Sequence, residues 1–182
     1  DVISAYIKSI RGSAPQADLY YLARMMEGGE DPVFIARRLI ISSSEDIGLA
    51  NPNALLLANA AFDAVSKIGW PAARIPLAEA TTYLALSPKS NSAYMGINSA
   101  VEAVKRTGNL PVPMHIRNAP TNLMAELGYS DGYKYPHDYP GNYVAQEYLP
   151  EQLKDAQFYV PQSSSATEAR LAATWRERTK GN

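Results

Sequence analysis

Helix start and stop signals divide the first 108 residues into short segments, and this feature constrains the fold more than any other. Asp31-Pro32 and Asn51-Pro52 each join a capping side chain to a proline, the pairing typical of a helix start. Gly69 and Gly108 stand where two helices should end. Apolar residues recur at helical spacing between these signals, and no stretch alternates like a strand. The sequence therefore predicts an all-α helical bundle over residues 1–108.

The remaining boundaries of this region follow in the same way. Ser13 is positioned to cap a helix that begins near Pro15, and Pro76 opens another. Ser90 or Asn91 opens the last helix, on which one apolar stripe is formed by Ile97, Ala100, Val101 and Val104. The helix after Asn51 is apolar around most of its circumference, which predicts a central position in the bundle.

The helix after Asp31 has two apolar faces. Its main stripe contains Ile35, Ala36, Leu39 and Ile40. Phe34 and Ile41 lie on the opposite side, one heptad apart, with Arg37 and Arg38 between them. A second apolar face is unnecessary on a surface helix, so this helix is either enclosed within the bundle or part of a subunit contact. The four residues Phe34, Arg37, Arg38 and Ile41 are therefore the candidate subunit interface.

Residues 109–161 differ in character, because they hold seven of the 13 prolines and seven of the 12 tyrosines. We expect an irregular segment with one short helix over about 120–127, its tyrosines anchoring it on the bundle. Ser165 and Glu168 have capping-box spacing, which predicts a C-terminal helix within a polar, then basic, tail. The predicted organisation is one structural domain with a bundle core at 1–108, the irregular segment at 109–161 and the helix and tail at 162–182.

Composition and motifs exclude several functions. The chain has no cysteine, so disulfides and thiolate metal sites are excluded. Its net charge of −1 is zero over 1–108, −3 over 109–161 and +2 in the tail, so any DNA-contacting surface must be local. No apolar run approaches the ~18–20 residues of a membrane span. The chain begins at Asp1 rather than at methionine, and we expect it to be a piece of a longer protein.

The search for catalytic residues is mostly negative. The sequence contains no P-loop, no dinucleotide-binding glycine pattern and no nucleophile elbow. His115 and His137 lie far apart and form no metal-ligand pair, and Glu45-Asp46 reads best as a polar turn. No catalytic, cofactor-binding or metal-binding residue is assigned. The candidates for DNA contacts are Lys89, Lys105, Arg106 and Arg117.

Several unusual strings occur in a fixed order along the chain. They are Lys8-Ser9-Ile10-Arg11-Gly12-Ser13, Leu19-Tyr20-Tyr21-Leu22-Ala23-Arg24-Met25, Gly29-Glu30-Asp31-Pro32, Ile35-Ala36-Arg37-Arg38-Leu39-Ile40, Ser44-Glu45-Asp46-Ile47-Gly48-Leu49-Ala50-Asn51-Pro52, Tyr83-Leu84-Ala85, Pro88-Lys89-Ser90-Asn91, Arg117-Asn118-Ala119-Pro120-Thr121, Leu127-Gly128-Tyr129 and Tyr148-Leu149-Pro150. This order resembles the C-terminal region of the replication-associated recombination protein A family, also called MgsA or RarA. These are AAA+ ATPases related to clamp loaders and to Werner-helicase-interacting protein.

The resemblance implies a clamp-loader-collar-like helical region that mediates assembly, with a homotetramer expected. It also implies an N-terminal AAA+ module, in which ATP and Mg²⁺ would bind, and a cytoplasmic, replication-fork-associated parent protein. The implied partners are that module, single-stranded-DNA-binding protein and DNA, with no membrane. Since the chain lacks every nucleotide-binding motif, no ATPase residue is carried over to it and no enzymatic activity is expected of it.

Three functions follow as hypotheses. The first is an oligomerisation module of an ATPase acting in DNA replication, recombination and repair at stalled forks. The alternative is a DNA-binding module that uses locally clustered basic residues and tyrosines. An enzyme using Glu45-Asp46 or His137 is the third, and it lacks a surrounding constellation of partner groups.

Overall fold

The computed structural model describes residues 1–180, and within them the chain forms eight α-helices and no strand. The helices are α1 (Val2–Arg11), α2 (Pro15–Glu27), α3 (Pro32–Ser42), α4 (Asn53–Ile68), α5 (Arg74–Leu86), α6 (Ser92–Thr107), α7 (Asn122–Glu126) and α8 (Ala166–Thr179). The predicted all-α fold is confirmed. The end of the predicted 162–182 segment, Gly181 and Asn182, lies outside the described residues. None of the helices in residues 1–180 is long and apolar enough to cross a membrane.

The chain divides into two compact units, of which the first comprises 1–98 and 159–172. In this unit α1 packs on α2, α3 packs on α4, and α5 packs against both α2 and α4. Their shared core is fully buried and includes Tyr6, Ile10, Ile35, Leu39, Leu77 and Leu84. A buried polar pair lies inside it, because the hydroxyls of Tyr6 and Thr81 are 2.5 Å apart.

The capping residues predicted from the sequence are correct at some helix starts and wrong at others. Asp31 caps α3 as predicted, since its carboxylate accepts the Val33 N–H at 3.0 Å. Ser13 and Asn51 do not cap: Ala14 and Pro52 hold the N-cap positions of α2 and α4. The Asn51 side chain instead donates to the Tyr83 hydroxyl at 2.8 Å, a partner remote in sequence.

Helix α4 is not central, contrary to the prediction. Small residues form its buried face, namely Ala54, Ala58, Ala61 and Val65. The larger apolar residues Leu55, Leu56 and Ile68 are exposed. The small alanine side chains let the neighbouring helices pack closely against this one face. The opposite face of α4 is exposed to solvent.

The second unit comprises 99–158 and 173–182, of which residues up to 180 are described. The short helix predicted near 120–127 is present as α7, capped by Thr121, which accepts the Met124 N–H at 3.2 Å. The rest of 109–158 consists of short 3₁₀ turns and irregular backbone. Four tyrosines of this segment, Tyr133, Tyr135, Tyr139 and Tyr148, are each more than a third exposed. The anchoring of its tyrosines on the bundle stays a prediction.

Candidate assembly surface

In the first unit, the turn that follows α3 contacts the residues that precede α6. A π-helical turn, Ser43–Ile47, follows α3 directly. The backbone carbonyl of Asp46 in this turn accepts the N–H of Ser90, just before α6, at 2.8 Å. Gly48 permits the approach, because its φ is +48° and a Cβ there would lie 3.1 Å from the Ser90 carbonyl. The end of α3 is thereby held beside the first turns of α6.

Ion pairs fix the π-helical turn. The Arg11 Nε donates to Asp46 Oδ1 at 2.8 Å, and an Arg11 Nη reaches Glu45 at 3.4 Å. The second oxygen of Asp46 accepts from the Ser42 hydroxyl at 3.2 Å. Glu45 and Asp46, which the sequence suggested as a polar turn, therefore tie that turn to the end of α1.

This joint creates an apolar groove of about 410 Å³. Its apolar walls are Ile40 and Ile41 from α3 and Ala93, Tyr94 and Ile97 from α6, with Ser44 and Glu45 at one side. Three of these side chains are open to solvent: Ile41 is 57 % exposed, Tyr94 41 % and Ile97 60 %. Contiguous exposed apolar side chains of this kind are typical of protein–protein contact sites.

The four candidate interface residues are placed differently from one another. Phe34 is half-buried and packs against the core, whereas Ile41 lies in the groove. The Arg37 guanidinium lies 6.0 Å from the centre of the Phe62 ring on α4, and Arg38 is half-buried. The prediction that these four residues form one subunit interface stays a prediction, with Ile41 its most accessible apolar member.

Lys89 is an internal cation. Its Nζ donates to the Ser13 hydroxyl at 2.9 Å, the Ala85 carbonyl at 3.0 Å and the Ser87 carbonyl at 2.6 Å. Burial lowers its pKa, although two nearby carboxylates oppose that effect. All three N–H donors thus have acceptors, and a phosphate contact by Lys89 would require breaking one of these bonds.

The other basic candidates belong to the second unit. Lys105 and Arg106 are exposed on the last turn of α6, where their charge favours the helix dipole. Arg117 is half-buried: its Nε donates to the Val112 carbonyl at 2.7 Å, and its guanidinium lies 5.0 Å from the centre of the Tyr129 ring. Their role in DNA contacts stays a prediction.

A buried carboxylate that sequence reasoning missed secures α8. The Ser165 hydroxyl accepts the Glu168 N–H at 3.2 Å, as a capping box requires, but the Glu168 side chain does not return to the helix start. It is fully buried and accepts from the hydroxyls of Ser90 at 2.5 Å, Ser92 at 2.6 Å and Tyr159 at 2.9 Å. Burial by itself would raise the pKa of Glu168, but these hydrogen bonds outweigh it and hold the pKa below its usual value.

Comparison with known proteins gives a consistent family assignment. The family model described as MgsA AAA+ ATPase C terminal matches residues 12–179. Replication-associated recombination protein A of Haemophilus influenzae is 49% identical over 162 residues, which cover 88% of this chain and 36% of that protein. The protein of the same name from Bacillus subtilis is 46% identical over 94% of this chain and 40% of its own length.

A eukaryotic protein is also similar. ATPase WRNIP1 of Dictyostelium discoideum is 41% identical over 160 residues, which cover 87% of this chain and 18% of that protein. The chain therefore spans well under half the length of these relatives.

Proposed function

Because this chain belongs to the MgsA AAA+ ATPase C-terminal family, we propose that it is the part of a larger ATPase that joins the subunits to one another. The observation that carries this proposal is the apolar groove at the end of α3, with the exposed side chains of Ile41, Tyr94 and Ile97. Burying one isoleucine of this kind contributes about 1.5–3 kcal/mol, and a two-fold symmetric contact counts each residue twice.

The proposed assembly is a homotetramer. A tetramer with two perpendicular two-fold axes needs two different self-complementary interfaces. The first unit carries a second apolar groove, of about 370 Å³, between α2 and α5. It is lined by Leu19, Leu22, Ala23, Met26, Ile75 and Ala78, with Arg74 the only charged residue there. Two separate apolar grooves on one unit fit the needs of such a tetramer.

The remaining functions of the parent protein are proposed from its relatives. In this proposal, ATP and Mg²⁺ bind a AAA+ module outside this chain, and the fragment itself hydrolyses nothing. The parent acts in the cytoplasm in replication-associated recombination and repair at stalled forks, with DNA and single-stranded-DNA-binding protein as partners. The relatives' names support the recombination role.

The substitution Ile41→Glu tests the assembly role. A buried glutamate without a partner is costly in a contact, so the subunit dissociation constant should rise at least about tenfold, one 1.4 kcal/mol step. Ile41 is mostly exposed, so helicity by circular dichroism should be unchanged. Sedimentation equilibrium of the 182-residue chain measures the association.

A matched control is Leu56→Glu, which adds the same charge at an exposed apolar residue outside both grooves. It should assemble like the wild type. A wild-type chain that stays monomeric at high micromolar concentration would overturn the proposal for this region. An Ile41→Glu variant that assembles normally would overturn the choice of surface.

A further inference from the structure

The irregular part of the second unit carries a polar, aromatic pocket of about 340 Å³ that is open to solvent. Six of its lining residues carry the argument that follows: His115, Arg117, Asn118, Ser130, Tyr133 and Tyr148. They come from three chain segments, near 115–118, 130–133 and 148, of which the first begins in a 3₁₀ turn and none belongs to an α-helix. The volume falls within the range of about 300–1,000 Å³ typical of small-ligand sites.

Hydrogen bonds between the segments hold the pocket in shape. Ser130 donates its N–H to the Met114 carbonyl at 2.9 Å and its hydroxyl to the Arg117 carbonyl. The φ of Ser130 is +71°, a conformation that costs energy for a residue with a Cβ and that these two bonds sustain. His115 Nε2 lies 2.5 Å from the Glu147 carbonyl, and a carbonyl only accepts, so Nε2 carries the proton.

Hydrogen bonds of the Gln146 side chain hold the part of the pocket that contains Tyr148. Gln146 accepts the Lys134 N–H at 3.2 Å and donates to the Lys134 carbonyl at 2.7 Å. The same side-chain amide nitrogen lies 2.8 Å from the Tyr148 hydroxyl, which orients that ring. Three irregular segments are therefore cross-linked around the pocket by specific side-chain contacts.

Several lining groups have no partner within residues 1–180. Arg117 uses only its Nε internally and stacks on Tyr129, so both Nη groups remain available. The Asn118 side chain is exposed and makes no hydrogen bond, and the Tyr133 hydroxyl makes none either. Tyr133 and Tyr148 are each about half exposed, so their rings have accessible apolar faces. The pocket thus offers flat surfaces, amide hydrogen-bonding groups and one oriented guanidinium.

We propose that this pocket binds a single nucleotide, with the base stacked on Tyr133 or Tyr148 and the phosphate on the Arg117 guanidinium. Base stacking on tyrosine and guanidinium–phosphate pairing are the standard means of holding an unpaired nucleotide. Asn118 supplies donors and an acceptor for a base edge. An acidic peptide would satisfy the guanidinium and leave both aromatic faces unused.

The charge of this region limits how much nucleic acid it binds. Residues 109–161 have a net charge of −3, which disfavours a groove that follows many phosphates. One guanidinium suits one phosphate. The ligand is therefore either a free nucleotide or one nucleotide of a single strand, and the proposal is independent of the assembly surface.

Asn118→Asp is the sharpest test, because Asn118 is exposed and makes no internal hydrogen bond, so the variant should fold normally. We expect saturable binding of a fluorescein-labelled oligothymidylate by the wild-type chain at low salt, measured by anisotropy. A carboxylate in the pocket should weaken this binding at least about fivefold through repulsion of the phosphate. The matched control Asn109→Asp adds the same charge outside the pocket and should bind like the wild type.

Two further variants separate stacking from charge. Tyr133→Ala should weaken binding about fivefold to 100-fold, the range for loss of one stacking ring, while Tyr135→Ala outside the pocket should not. Arg117→Gln should reduce the slope of log Kd against log salt by about 0.7, the value for one phosphate of a single strand. The control for that charge is Arg24→Gln, at an exposed arginine outside the pocket, which should leave the slope unchanged.

Competition distinguishes the two sources of the ligand. Displacement of the oligothymidylate by thymidine monophosphate identifies a free-nucleotide site, and binding of the strand alone identifies a strand site; either supports the proposal. Absence of binding by the wild type at low salt would overturn it. So would equal losses in Asn118→Asp and Asn109→Asp, or binding of an acidic peptide without any binding of nucleotide.

Discussion

The carboxylate of Asp18 should make the stability of this protein fall as pH rises. Asp18 lies in the first turn of α2, where it is fully buried, and neither of its oxygens has a hydrogen-bond partner among the described residues. Burial raises the pKa of Asp18 to about 7, and the adjacent backbone N–H of Leu19 and the nearby Lys89 oppose this effect only in part. An unfolded aspartate has a pKa of about 3.9.

The direction and size of the effect follow from linkage. Below about pH 4 the carboxyl is protonated in both states, and no stability is lost. Between about pH 4 and the folded pKa of about 7, only the unfolded chain releases the proton, so the free energy of unfolding falls as pH rises. A pKa difference of about three units corresponds to about 4 kcal/mol, fully lost above about pH 7.

Asp18→Asn removes this titration while keeping the shape of the side chain. Urea unfolding of both proteins is followed by circular dichroism at intervals of about one pH unit from pH 4.5 to 8.5. These measurements give the difference in the free energy of unfolding between the two proteins at each pH. The difference should be about 1 kcal/mol at the acid end and should favour the variant by up to about 4 kcal/mol at the alkaline end.

Taking the difference between the two proteins cancels the titration of every group that does not interact with Asp18. Asp63→Asn on the exposed side of α4 is the matched control and should stay within about 0.5 kcal/mol of the wild type at each pH. A difference between Asp18→Asn and the wild type that does not change with pH would refute the reasoning. A variant that is less stable at high pH would show that the carboxylate has a stabilising partner.

Two further predictions concern buried carboxylates. Glu168→Ala should lower the free energy of unfolding by about 3 kcal/mol, because three hydroxyl donors lose their acceptor, and Glu168→Gln should cost less. Since the pKa of Glu168 is lowered, its contribution should be present above about pH 4.3 and lost as pH falls, the opposite of Asp18; urea unfolding at several pH values measures both. Asp46→Ala should lower the free energy of unfolding by about 1–3 kcal/mol. Arg11→Met, at a half-exposed residue, should lower it by no more than about 1 kcal/mol. Equal losses of stability in Asp46→Ala and Arg11→Met would contradict a contribution from the hydrogen bond between Ser42 and Asp46.

Local capping chemistry was predictable only where a side chain had no better partner. Asp31 is exposed and caps α3, as expected. Asn51 has the same pairing with proline, yet its amide reaches Tyr83, 32 positions away in sequence. Glu168 has capping-box spacing, but three hydroxyls from remote segments compete successfully for its carboxylate. A capping motif shows that a side chain is able to cap a helix, but it does not show whether a residue remote in sequence forms a hydrogen bond with that side chain instead.

The candidate sites were likewise predictable from the sequence only in part. The two-faced pattern of α3 identified Ile41 as unusual, but nothing in the sequence placed Tyr94 and Ile97 beside it. That placement depends on the hydrogen bond from Ser90 to Asp46 and on Gly48, whose lack of a side chain permits the contact. Lys89 looked like a surface cation, and three carbonyl or hydroxyl acceptors from its own unit make it internal.

Sequence by itself determined the helical class, most helix boundaries, the apolar stripes and the family, because these depend on local spacing and on ordered strings of residues. Tertiary structure decided which apolar faces are covered, which carboxylates are buried and which loop residues surround a pocket. Burial is a property of what packs against a residue, and a buried charge acquires its pKa from partners that the chain brings together only on folding. The opposite pKa shifts of Asp18 and Glu168, two buried carboxylates on helices, have no counterpart in the sequence.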